Sequence, residues 1–203
     1  MGHYIDRYCQ GVEGVDAIYK AASEKIKLGA ITIGEYHTKP YARAVVYDLI
    51  DAGFVKRLFI EFPDAAFVKT LRNDNLGKEV EQWPASGDQN VYNLGVGFLD
   101  RGRPNLLPMQ ALIQTAVSKS VKVYFYDLYH DDPTSSQGMQ ARNEAMAKVF
   151  LKHTETKTKS PIGAIALVGG KHLETPENDT IYTLSLQVAC KIPHDHVFDL
   201  HRL

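Results

Sequence analysis

The chain predicts an α/β domain, with a central, mainly parallel β-sheet of about five strands and helices on both faces. Three observations carry that prediction. Short apolar runs alternate with segments of helical periodicity from one end to the other, the signature of strands joined by crossover helices. The runs are apolar nearly throughout, as strands covered on both faces are. The length of 203 residues, with 44% apolar and 23% charged side chains, suits one globular domain over residues 1–203 with a sizeable core.

Each element has its own signal. Residues 12–28 predict a helix, with Val15, Ile18, Tyr19 and Ala22 on one stripe and Gly29 as its stop. Residues 30–34 (AITIG) predict the first strand. Pro40 opens the next helix, which carries Val45, Val46, Leu49 and Ile50 inward and stops at Gly53. Residues 57–62 (RLFIEF) predict a second strand, ended by Pro63. Residues 64–73 read as helical. The glycine- and proline-rich segment 75–104 reads as a long loop or lid with one or two short helices, in which Trp83 and Tyr92 are candidates to line a pocket or fill core. Helix 108–120, strand 121–127 (VKVYFYD), helix 136–153 and strand 162–169 (IGAIALVG) follow, with a polar loop at 154–160. Residues 196–200 (HVFDL) predict the fifth strand. The aromatic run Tyr124-Phe125-Tyr126 reads as strand packing.

Charge and composition exclude several functions. Twenty-three Lys and Arg against 24 Asp and Glu give a formal net charge of −1, so no basic surface argues for nucleic acid. Nothing approaches the roughly 18 consecutive apolar residues of a membrane span. The two cysteines, Cys9 and Cys190, are too few for a disulfide framework or a cysteine zinc site. They predict free thiols in a reducing compartment.

In a parallel sheet, ligands bind beyond the carboxyl ends of the strands, so those ends are where chemistry is sought. The first carries Glu35, Tyr36 and His37; the second Glu61; the third Asp127, then His130, Asp131 and Asp132; the fourth Gly169-Gly170-Lys171-His172. Four ends bearing acid or imidazole groups point to one cleft. Arg142 falls on the stripe of Met139, Met146, Val149 and Phe150, and Arg43 shares a side with Val46, Tyr47 and Ile50. A guanidinium on an apolar face needs a carboxylate, so these arginines hold Glu35, Glu61 or a substrate anion. A histidine beside a carboxylate can take a proton from water. Two histidines and two glutamates can equally hold a divalent metal. Spacing alone leaves both readings open. His194, Asp195 and His196 with His201 offer a second metal reading, against that of a polar turn before an edge strand.

These residues resemble a known pattern: GEYH at a strand end, an arginine six residues after that histidine, FIEFP at the next strand end, a later helical arginine, and LVGGKH. It is that of the superfamily containing the erythromycin esterases, the ChaN-like haem-binding proteins and the Tiki/TraB proteins. The resemblance covers roughly residues 28–175, and the small size is similar to that of bacterial type III effectors of the HopBA kind. It implies an erythromycin-esterase/ChaN-like fold and a hydrolase-like enzyme. His37 would be the base, Glu35 and Glu61 its carboxylate partners, and Arg43 and Arg142 the groups that hold them or the substrate. His172 would be the second histidine of the site, with Tyr36, Lys171 and Asp127 as substrate-binding positions. The cofactor is left as none or a divalent metal, with haem a further alternative through Tyr36 or Tyr41. The implied partner is a small-molecule or protein substrate. The alternative is a catalytically silent effector that meets a host protein, from a bacterial, soluble protein secreted into the host cytosol. The helical regions that build a macrolide pocket have no room in this length.

Overall fold

A computed structural model describes residues 3–63, 105–127, 135–155, 161–173, 186–201 and 203. The expectations for 64–73 and 75–104, including Trp83 and Tyr92, lie outside the described residues, as do His130, Asp131 and Asp132. Helix α1 spans His3–Tyr8, α2 Val15–Lys25, β1 Ile31–Glu35, α3 Tyr41–Asp51 and β2 Arg57–Pro63. Helix α4 spans Met109–Ser118, β3 Lys122–Asp127, α5 Ser136–Thr154 and β4 Ala164–Gly169. A 3-10 turn, Gly170–His172, follows β4; α6 is Leu186–Ala189 and β5 is Val197–Asp199.

The five strands form one sheet in the order β3-β2-β4-β1-β5, and every neighbouring pair is parallel. The chain therefore moves outward from β1 to β2 to β3, then returns to β4 and β5. A uniform crossover hand places outward and returning helices on opposite faces. They lie there: α1 to α4 pack with Ile31, Ile33, Leu58, Ile60, Val123 and Phe125, whereas α5 and α6 pack with Phe59, Tyr124, Tyr126, Ala166 and Val168. Alternate residues of each strand thus feed separate cores, which is why the strands read as unbroken apolar runs. The aromatic run divides in the same way. Tyr124 stacks on Phe59 at 4.8 Å, while Phe125 meets Phe62 edge-on at 5.7 Å through the other face.

Two details differ from the sequence expectation. Glu35 is the last residue of β1 and pairs in register with Gly169. Helix α1 carries too few residues to show periodicity. It is held by the buried Asp48 carboxylate, which accepts from the backbone N–H groups of Tyr4 and Ile5 at 2.9 Å each. The winding reverses between β4 and each of its neighbours, β1 and β2. Sheets of this kind bind ligands in a crevice outside the carboxyl ends at such a switch, here those of β1, β4 and β2.

Candidate active site

Glu35 points into that crevice with its side chain only 2% exposed. Arg43 stands in the first turn of α3, itself 1% exposed. Its Nε donates to Glu35 Oε2 at 2.8 Å and its Nη2 to Oε1 at 3.2 Å, a side-on bidentate pair. Its Nη1 reaches the Leu107 carbonyl at 2.9 Å. His37 Nδ1 lies 2.8 Å from Glu35 Oε1. An ionised carboxylate only accepts, so Nδ1 carries the proton and Nε2 of the neutral ring keeps its lone pair. Burial pushes the Glu35 carboxyl up, but the Arg43 guanidinium and the His37 hydrogen bond outweigh it and hold it below its ordinary value.

The second half is built from more distant pieces. Pairing between β2 and β3 slips by one residue between Ile60 and Pro63, a bulge that re-aims the side chains it carries. Glu61 lies within it. Its Oε2 accepts from the Gly169 N–H at 2.6 Å and its Oε1 from Arg142 Nη2 at 2.6 Å. Arg142 also grips Asp127 side-on, Nε to Oδ1 at 2.9 Å and Nη2 to Oδ2 at 2.7 Å. His172 Nε2 sits 3.3 Å from Glu61 Oε1, and its Nδ1 sits 2.5 Å from Asn143 Oδ1. Both ring nitrogens of His172 therefore face oxygens, one of Glu61 and one of Asn143. Burial raises the Glu61 carboxyl, but His172, Arg142 and His37 together hold it well below its ordinary value.

Gly169 joins the halves. A Cβ built on it would lie 3.1 Å from His37 Nε2 and 3.1 Å from Glu61 Oε2. The structure thus brings together Glu35, His37, Arg43, Glu61, Arg142, Asp127 and His172. Asp127 stands behind Arg142, 2% exposed, as that guanidinium's partner. Lys171 is exposed on the 3-10 turn, and Tyr36 is exposed at the crevice mouth with its ring 5.2 Å from that of His201. Three contributors escaped the sequence reading. Asn143 is next to Arg142 on α5 and meets His172. Asn105 Nδ2 donates to the His37 carbonyl at 2.7 Å and to the Lys39 carbonyl at 3.1 Å, fixing the loop that carries the histidine. The Gly169 amide is the third. An asparagine gives no periodicity signal, although Asn105 just ahead of Leu107 and Pro108 is a turn-forming residue.

The arginines hold the acidic residues, which resolves the choice left open by the sequence. The carboxylate oxygens face N–H donors, and among the described residues no group of three or more His, Cys, Asp or Glu side chains is arranged to hold a metal ion. A divalent metal at this cluster would have to displace buried guanidinium pairs, so the residues as placed do not fit one. The second metal reading fails on position. His196 Nδ1 contacts the Ala30 carbonyl at 2.9 Å, at the amino end of β1, whereas His201 lies against Gly170 at the carboxyl edge. Cys9 and Cys190 are both buried free thiols.

No family model and no curated protein matches the chain. Two solved structures described as bacterial protein toxins share its fold. The first superimposes with a TM-score of 0.55 at 12% identity over 97% of this chain and 38% of its own. The second gives 0.54 at 12% identity over 96% and 40%. The chain thus spans about two-fifths of the length of each. No described helix is long and apolar enough to cross a membrane.

Proposed function

We propose that this is a hydrolase-like toxin or effector domain of the erythromycin esterase/ChaN/Tiki superfamily, cleaving an ester or amide bond with water activated by His37. The observation that carries the proposal is the convergence of His37 Nε2 and Glu61 Oε2 over the unsubstituted Cα of Gly169, each 3.1 Å from the point a Cβ would take. Two atoms that close to one point can share a single water beside them, clear of the Gly169 Cα. Nε2 takes one proton as the water oxygen bonds to the carbonyl carbon. The resulting imidazolium, held by Glu35, returns that proton to the leaving oxygen or nitrogen as its bond to carbon breaks. The products are a carboxylic acid and an alcohol or amine. Arg43, Arg142 and Asp127 position the carboxylates. Engagement of both guanidiniums favours a neutral carbonyl substrate over a phosphate.

A second reading is a catalytically silent module that meets a host protein. It is favoured by the same buried ion pairs, which also suit a purely structural core. The test is His37→Ala, with hydrolysis of p-nitrophenyl acetate and growth of cells expressing the protein as readouts. The enzymatic reading expects a fall of about 10²–10⁴ in rate and loss of any growth effect, with the fold kept as read by far-UV circular dichroism. Retention of both activities in the folded variant sinks it and supports the silent module.

A further inference from the structure

We propose that Tyr36 and His201 form the wall that recognises the substrate, and that this wall takes an aromatic ring of the molecule whose bond is cut. This rests on the hydrolytic reading of the neighbouring cluster. The argument begins with strand alternation. Glu35 and His37 project to one side of the chain leaving β1, and Tyr36 projects to the other. Tyr36 is 47% exposed, one of the few large exposed apolar side chains among the described residues. Its ring is not splayed into solvent. It lies 5.2 Å from the His201 ring at an interplanar angle of 31°, a tilted pair.

His201 is held in place by three features. Its backbone N–H donates to Asp199 Oδ1 at 3.0 Å, and the preceding Leu200 N–H donates to the Gly34 carbonyl at 3.1 Å, pinning this segment beside the end of β1. The Cβ and ring base of His201 press on Gly170 so closely that no side chain fits there. Gly169 and Gly170 therefore do different jobs one residue apart. Gly169 leaves room for His37 Nε2 and Glu61 Oε2, and Gly170 leaves room for His201. Successive Cα atoms are about 3.8 Å apart, so the ring pair sits across the end of β1 from His37 and Glu61, where a substrate that crosses that strand end meets both.

Two rings at such a mouth favour a third. Aromatic groups pack offset or edge-to-face at centroid distances of about 4.5–7 Å, and the exposed Tyr36 face offers that contact. A saturated group of equal size gains only apolar burial. The expected distinction is therefore between aromatic and saturated ligands of matched size.

The experiment uses the full chain with 13C-labelled histidine and tyrosine rings, titrated with benzyl alcohol and, separately, with cyclohexylmethanol. The proposal expects saturable shifts of the Tyr36 and His201 ring signals with benzyl alcohol, at least tenfold tighter than with cyclohexylmethanol. Tyr36→Leu, which keeps bulk, and His201→Ala should each weaken benzyl alcohol binding by about tenfold. The absence of a saturable shift, equal response to the two alcohols, or unchanged binding in both variants overturns it. His37→Ala separates the two ideas. Ring shifts that persist in this variant while it also keeps full hydrolysis remove the hydrolytic reading and leave the wall. A variant that loses hydrolysis, in a protein whose rings ignore benzyl alcohol, removes the wall and leaves the base.

Discussion

The two halves of the cluster use the same parts in opposite ways. In the first, one arginine, one glutamate and one histidine come from nine consecutive positions, Glu35 to Arg43. Its histidine side chain is 30% exposed. In the second, Glu61, Asp127, Arg142, Asn143, His172 and the Gly169 amide come from β2, β3, α5, β4 and the turn after it. Its histidine is 2% exposed, with both nitrogens engaged. A proton can be exchanged with solvent at His37. His172 is placed to hold Glu61. The difference teaches that two similar residue sets need not be equivalent, because burial sets which imidazole can meet solvent and which is enclosed by its partners.

The largest test of that comparison is removal of each guanidinium. Arg142→Met takes the guanidinium from two buried carboxylates, Asp127 and Glu61, the latter keeping the Gly169 N–H and His172, and should destabilise by roughly 3–5 kcal/mol in urea denaturation. Arg43→Met strands one carboxylate that still receives the His37 N–H, and should lie near the lower end, about 3 kcal/mol. The reverse order would break the comparison.

Acid comes next. Both carboxyls are depressed, Glu61 further than Glu35. A depressed group contributes stability that is present in full above its unfolded value and disappears as pH falls through the folded value. The urea midpoint should therefore fall as pH drops below about 4. Glu61→Gln should flatten that dependence more than Glu35→Gln. Equal slopes would place both carboxylates in equivalent environments.

Gly169→Ala sharpens the junction between the halves. The added methyl would stand 3.1 Å from each facing atom, so His37 and Glu61 must give way by a few tenths of an ångström. Such displacement should cost about tenfold to a hundredfold in hydrolysis with little change in far-UV circular dichroism. Full activity would show that the placement of His37 and Glu61 over Gly169 does not matter to hydrolysis. The smallest effect belongs to Asn105→Ala, which removes the donor to the His37 and Lys39 carbonyls. It should lower stability by about 1 kcal/mol, read as a small drop in melting temperature. An unchanged value would mean that the His37 loop is held by Glu35 alone.

The sequence was most legible where structure is local. Strand–helix alternation announced the parallel sheet, and GEYH with Arg43 eight residues beyond Glu35 lay within one strand–turn–helix unit. Arg142 betrayed itself as a charge on an apolar stripe. Spacing could not tell whether the arginines take carboxylates or substrate, because the choice depends on strands brought together by tertiary winding. The bulge at Glu61 leaves a single mark in RLFIEFP, Pro63, which reads equally as the end of the strand. Asn143 was hidden by its unremarkable place beside Arg142, and the partner it meets is 29 residues away.

The sheet order has a consequence for when the cluster can exist. Strand β4 lies between β1 and β2 and is the only strand that touches both. Until residues 164–169 take their place, β1 and β2 have no common neighbour, and Glu35 and Glu61 belong to unconnected pieces. The first half can assemble from a few residues early in synthesis, whereas the complete cluster waits for the arrival of LVGGKH. Long-range closure of this kind is slow compared with helix formation. A growing chain therefore lacks the joined cluster until nearly all of these strands have emerged.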